Sequence, residues 1–239
     1  MLKVYPFDTN LIYTLYATKD LNNGKDIMEI EDVTGEYIFK LHKLFDRHNY
    51  YLDKDGNLIN NLKVINDNYG GDFTSVDEEL FNVLKSAVEI TKFSDGKFNL
   101  FIGELSSFWD GFINKINGSW NYIENTIDPD HNEDSKNEIQ KLKNNTPKAS
   151  EIDDVLIFDE VNKKVKFNKY KNAEKVSISL VEIYKGYLSE NIYQKLKNIN
   201  KTNGAFYAGS SSILVMDKQA YGNSWSLSLS NPYGYIIHL

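Results

Sequence analysis

The sequence contains no cysteine. Disulfides, a thiol nucleophile and thiolate metal ligands are therefore excluded. Proline is scarce, with 4 in 239 residues, so few elements are forcibly interrupted. No uncharged apolar run approaches the roughly 20 residues of a membrane-spanning helix. The stretch Met1–Phe7 has neither the apolar core of a signal peptide nor a lipid-attachment cysteine, so the chain as written is expected to be cytoplasmic. A basic face is also missing. The formal net charge is −7 and the lysines are interleaved with Asp and Glu, which excludes the counterion-displacing surface that a duplex binder needs. The four histidines, His42, His48, His131 and His238, are scattered and form no HExxH pair. No GxSxG, P-loop or Rossmann glycine pattern occurs.

What is present belongs to a folded protein. The chain is 41% hydrophobic and 26% charged, and 16 Tyr and 13 Phe supply much of a substantial core. Residues 3–18 alternate loosely and predict a strand or hairpin. Val33, Tyr37, Ile38, Leu41, Leu44 and Phe45 fall at helical spacing and predict an amphipathic helix over 32–48. Asp55-Gly56 is a turn signal. Ser75 and Glu78 have capping-box spacing ahead of a helix that carries Val76, Leu80, Val83, Leu84, Ala87 and Ile90 and ends near Ser94-Asp95-Gly96. Phe98 to Gly103 reads as a short strand.

Residues 114–150 are rich in Asn, Asp, Lys and Ser, which predicts a surface insertion with one short helix at about 135–143. Residues 153–170 predict a hairpin turning at Asn162-Lys163. Val176–Leu180 alternates like a strand, and Leu188, Ile192, Leu196 and Ile199 form a helical stripe after Gly186. Two further strands are expected at Ser212–Met216 and Trp225–Leu229. The mixed order of elements favours an α+β fold of mixed or antiparallel sheets with packed helices, in a single domain over residues 1–239.

Three segments are candidates for function. The first is the turn Ile183-Tyr184-Lys185-Gly186-Tyr187, where a lysine ammonium and the first free amides of a helix would attract a phosphate, and Gly186 would let it approach. The second is Asp95-Gly96-Lys97-Phe98-Asn99, where Phe98 would stack on a flat ring and Asn99 would read its polar edge. The third is the small-residue run Tyr207-Ala208-Gly209-Ser210-Ser211-Ser212. Each also has a purely structural reading: a surface lysine beside a glycine, a helix-to-strand turn, and a strand entry.

Taken in order, these segments resemble the ApbE family of FAD:protein FMN transferases. Phe7-Asp8-Thr9 sits where the family has its N-terminal Met-Gly-Thr-like strand, and Phe45-Asp46-Arg47-His48-Asn49 resembles its post-helix segment, with His48 in place of a flavin-contacting aromatic. Asp95-Gly96-Lys97-Phe98-Asn99-Leu100, followed by Gly103, Leu105 and Trp109, is close to the family's DGxFDxxxGxLxxxW run. Ser179 to Tyr187 matches its DLGGIAKGY turn, and Ala208-Gly209-Ser210 with Trp225–Pro232 resembles its AGG and WxVxIxDP segments.

The resemblance implies an ApbE-like, T-fold-related architecture and transfer of FMN from FAD, with magnesium, to a Ser or Thr of a target protein. It implies Lys185 as catalytic residue, and Phe7, His48, Lys97, Phe98, Asn99, Ser179, Lys185, Gly186 and Gly209 as flavin-nucleotide contacts. Glu182 is the one candidate metal ligand. Several residues depart from the family. Ser179 replaces its turn aspartate, Val181-Glu182 its glycine pair, and Asn99 the aspartate of DGxFD. The sequence ends at His238-Leu239, ahead of the family's magnesium-binding Asp and Thr. Weak or absent transfer is therefore expected, with a non-catalytic flavin- or nucleotide-binding or protein-interaction relative as the alternative. Family members usually work outside the cytoplasm.

Overall fold

The computed structural model describes residues 11–15, 23–115, 132–209, 211–217, 224–230 and 236–238. In chain order its elements are β1 (Leu11–Leu15), α1 (Asn23–Phe45), α2 (Leu62–Asp67), β2 (Thr74–Ser75), α3 (Glu78–Phe93), α4 (Gly103–Lys115), α5 (Glu133–Asn144), α6 (Ile152–Val155), β3 (Leu156–Asp159), β4 (Lys164–Phe167), α7 (Tyr184–Asn198), β5 (Gly204–Ala208), β6 (Ser212–Met216), β7 (Ser228–Ser230) and β8 (Ile236–His238). Every strand pairing among the described residues is antiparallel, as the α+β reading anticipates. No helix among the described residues is long and apolar enough to cross a membrane.

The chain folds as two compact units. One comprises Met1–His42 with Lys185–Leu239. Its sheet has the order β1-β5-β6, with Leu11 opposite Ala208 and Gly204 opposite Met216, and β7 and β8 form a separate two-stranded sheet. The predicted helical stripes close its core: Leu188, Ile192 and Leu196 of α7 and Leu41 of α1 are fully buried, Ile38 is buried, and so is Ile30 ahead of the predicted stripe. The Lys195 ammonium lies 4.3 Å from the Tyr37 ring centre. Lys201 pairs with Asp26.

The other unit is Lys43–Tyr184. Its sheet has the order β2-β4-β3, with the β3–β4 hairpin turning over residues 160–163 as predicted. Phe81, Phe101 and Phe167 are buried at its centre, and Phe101 and Phe167 stand 5.6 Å apart. The helix predicted in the polar segment forms as α5 and buries none of its residues.

Four local expectations change. Helix α1 begins at Asn23, nine residues before the predicted start, because the apolar stripe already includes Ile30. The cap of α3 is Asp77, whose carboxylate accepts from the Glu79 amide at 2.9 Å; Ser75 is committed to β2 opposite Lys164. Phe98–Ile102 is a turn that leads into α4 rather than a strand, since Asn99 Oδ1 accepts from the Phe101 amide at 2.9 Å. Val176–Leu180 is buried but joins no ladder, because its backbone partners are a side-chain amide and a turn.

Candidate functional site

The Lys43–Tyr184 unit gathers three of the segments singled out in the sequence around one glycine. Gly103 opens α4, and its amide donates to Ser177 O at 2.9 Å. Two residues further on, the Ser179 amide donates to Leu100 O at 2.8 Å. A Cβ on Gly103 would lie 2.3 Å from Ser177 Oγ and 2.7 Å from its carbonyl oxygen, so the contact requires glycine. Arg47 donates to Gly103 O at 2.8 Å, to Ser107 Oγ at 2.8 Å and to Asp110 at 3.1 Å, with its side chain 7% exposed. Segments 46–49, 95–110 and 177–182 thus share one framework.

The 46–49 segment is held by its own hydrogen bonds. Asp46 accepts from the amides of His48 at 2.6 Å and Asn49 at 3.1 Å, from Asn49 Nδ2 at 2.9 Å and from the Tyr51 hydroxyl at 2.7 Å. Partial burial raises the Asp46 pKa, but the donors from Asn49, Tyr51 and His48 outweigh it and leave the carboxyl below its ordinary value. The consequence is orientation. Arg47 is turned inward to α4 and His48 is left exposed.

The 95–99 turn is more structural than its sequence implies. Asp95 and Gly96 take left-handed φ values of 52° and 75°, and their amides donate to Lys92 O and Thr91 O, which closes α3 in a Schellman motif. Lys97 is exposed and Phe98 is half-buried. Asn99 is committed on both sides of its amide: Oδ1 accepts from Phe101, and Nδ2 donates to Pro147 O at 2.8 Å. A cavity of about 410 Å³ opens here, between Asp95, Asn99, Ile102 and Leu105 on one side and Lys143 and Lys148 on the other.

The 176–182 run is held from two directions. Asn66 grips Ile178 with both ends of its amide, accepting from the Ile178 N–H at 2.8 Å and donating to its carbonyl at 3.1 Å. Ser179 is fully buried, and its Oγ lies 3.4 Å from Glu182 Oε2. Tyr184 closes the turn through its amide on Leu180 O at 2.9 Å. Lys185 and Gly186 then lie within the first turn of α7, not in a loop ahead of it. That turn carries no acidic residue, and a Cβ on Gly186 would meet nothing within 4 Å. In the Met1–His42 with Lys185–Leu239 unit, Gly209 takes φ 65° between β5 and β6. Phe7 lies outside the described residues.

The sequence profile of the ApbE family matches residues 30–239. The chain belongs to the ApbE family. Among solved structures it resembles the ApbE protein of Thermotoga maritima, at 19% identity and a TM-score of 0.63, over 97% of this chain and 67% of that one. It also resembles the flavin transferase ApbE of Vibrio cholerae, at 12% identity and a TM-score of 0.61, over 97% of this chain and 68% of that one. A third likeness is to the apo form of the Pseudomonas stutzeri flavinyl transferase ApbE, at 13% identity and a TM-score of 0.61, over 97% and 65%. At these identities the likeness is one of fold, and this chain spans about two thirds of the length of those proteins. Comparison with curated proteins gave no match.

Membership in the ApbE family makes the metal the next question. Among the described residues, no three Asp, Glu or His side chains come together in a way that could hold an ion. Glu182 is exposed and contributes one carboxylate, already within reach of Ser179, against the near-octahedral oxygen shell that magnesium demands. The described residues do not fit a magnesium site.

Two residues of the framework escaped the sequence reading. Asn66 carries no sequence signal, because its partner lies 112 residues away. Arg47 had one: it is the single arginine among 27 basic residues, and only a guanidinium spans three acceptors in this way.

Proposed function

We propose that this ApbE-family chain is a flavin-transferase-type protein that takes FAD as its nucleotide, with FMN transfer to a Ser or Thr hydroxyl of a target protein as its reaction. The observation that carries this is the start of α7. Lys185 is the second residue of a 15-residue helix whose first turn has no acid, so an ammonium and the positive end of the helix dipole coincide. Both attract an anion such as a pyrophosphate. The open space at Gly186 suits such an approach. The resemblance to the family adds His48, Lys97, Phe98, Ser179 and Gly209 as expected nucleotide contacts, and the side chains of His48 and Lys97 are exposed and that of Phe98 half-buried. Asn99 supports the turn from within.

In the reaction, the target hydroxyl attacks the FMN-side phosphorus, the pyrophosphate bond breaks and AMP leaves. Negative charge grows on the phosphoryl oxygens, and Lys185 is the cation this chain brings to it. Glu182 favours a second reading, a flavin- or nucleotide-binding relative without transfer. Its carboxylate sits in the loop that feeds α7, where it opposes a pyrophosphate.

Titration of FAD with the purified chain, followed by quenching of flavin fluorescence, tests binding. Saturable quenching that weakens at least tenfold in Lys185→Ala is expected, and a flat titration removes both nucleotide readings. Incubation with FAD, magnesium and a Ser/Thr-bearing acceptor peptide separates the two. A flavin-labelled peptide above background supports the transferase, and binding without label supports the non-catalytic relative.

A further inference from the structure

The cavity beside the 95–99 turn has two walls of different origin. One is the Asp95–Leu105 turn and the start of α4; the other is residues 143–150, which leave α5 and enter α6. At about 410 Å³ it falls in the size range of small-molecule sites. Its apolar part is Ile102, Leu105 and Pro147, and its charged lining is Asp95, Lys143 and Lys148. The nearest acid in sequence, Glu151, is already committed: it accepts from the Tyr170 hydroxyl at 2.6 Å and the Lys148 backbone amide at 3.1 Å, and pairs with Lys171 at 2.9 Å. Neither the Lys143 nor the Lys148 ammonium is in an ion pair among the described residues. Two cations and one carboxylate therefore face a space that can hold a small ligand.

The Asn99 side chain ties the second wall to the first. Asn99 donates to Pro147 O at 2.8 Å while accepting from the Phe101 amide at 2.9 Å. An aspartate would keep the second bond but would set a carboxylate oxygen against the Pro147 carbonyl, and the wall would lose its tie. The amide is thus matched to a wall that closes at this point.

We propose that this cavity is a binding subsite for a phosphate-bearing small molecule, with Lys143 and Lys148 as its anion-binding residues and Asn99 as the positioning residue that holds its second wall. The phosphate sits between the two ammonium groups, and an attached ring or sugar lies over Ile102, Leu105 and Pro147. Asn99 belongs to both readings, but Lys143 and Lys148 play no part in the flavin-transferase reading, so the lysine variants test the subsite separately.

The test is isothermal titration of the full chain with inorganic pyrophosphate, ADP and FAD. The variants are Lys143→Gln/Lys148→Gln, Asn99→Asp and the α5 control Lys136→Gln. Saturable binding of pyrophosphate and ADP is expected, weakened at least tenfold in the double lysine variant and unchanged in Lys136→Gln. Asn99→Asp is expected to weaken ADP more than pyrophosphate, because the moved wall carries the apolar contact; an equal loss for both ligands would overturn the positioning role. The lysines are exposed, and an unchanged circular dichroism melt confirms that the double variant folds. Absence of pyrophosphate and ADP binding, or unaltered binding in the double variant, overturns the subsite even if FAD still binds. Pyrophosphate and ADP binding without FAD binding supports the subsite and counts against the flavin reading.

Discussion

Arg47 and Gly103 lie 56 positions apart in sequence, yet the guanidinium donates to the Gly103 carbonyl at 2.8 Å while the Gly103 amide donates to Ser177. One residue of α4 therefore ties the segment of His48 to the loop of Ser179. Replacing Arg47 by Gln removes charge-assisted bonds to Gly103, Ser107 and Asp110 from a nearly buried position, with an expected loss of about 2–4 kcal/mol in urea denaturation. Arg47→Lys is expected to recover less than half of it, since an ammonium cannot reproduce the fork. Equal stability of wild type and Arg47→Gln would refute the tie.

Glycine at two positions of α4 gives opposite expectations. Gly103→Ala places a methyl 2.7 Å from the Ser177 carbonyl oxygen, and the backbone must move, for an expected loss of about 2–3 kcal/mol. Gly111 has nothing within 4 Å of its would-be Cβ, so Gly111→Ala is expected to add about 0.5–1 kcal/mol of helix propensity. Thermal melts of the two variants should shift in opposite directions.

Gly186 separates stability from ligand access. Its would-be Cβ also meets nothing within 4 Å, so Gly186→Ala should leave stability equal or raise it by up to about 1 kcal/mol. If FAD phosphates approach there, the same methyl should weaken FAD binding at least fivefold. Unchanged affinity would place the phosphates elsewhere.

Glu151 makes part of the acid response predictable. The Tyr170 hydroxyl, Lys171 and the Lys148 amide lower its pKa from 4.5 to about 2. The folded value lies below the unfolded one. Its stabilisation is therefore complete above about pH 4.5 and is lost as pH falls through about 2. Between those values Glu151→Gln should lose less stability than wild type, measured by urea midpoints across the pH series. Identical slopes would remove Glu151 from the response.

Asn66 is a further structural lever. Asn66→Ala strips both bonds from the buried Ile178 backbone and should cost about 2–4 kcal/mol. Asn66→Asp keeps only the acceptor for the Ile178 amide, so amide hydrogen exchange at Ile178 should stay slower than in the alanine variant.

Local pattern located α3, the body of α7 and the β3–β4 hairpin, and polar composition located α5, because each is set by short-range terms such as apolar spacing and turn residues. The motif order identified the ApbE family, and with it the α+β fold. Alternation misled at Val176–Leu180, where burial on all sides produces the pattern of a strand without a neighbouring strand to pair with. Only the tertiary structure decided that Asn99 braces a wall, that Lys185 lies inside a helix, and that Arg47 and Asn66 hold the site segments. Those roles depend on partners 48 to 112 residues away for the three side chains, and hydrogen bonding over such separations leaves no local mark on the chain.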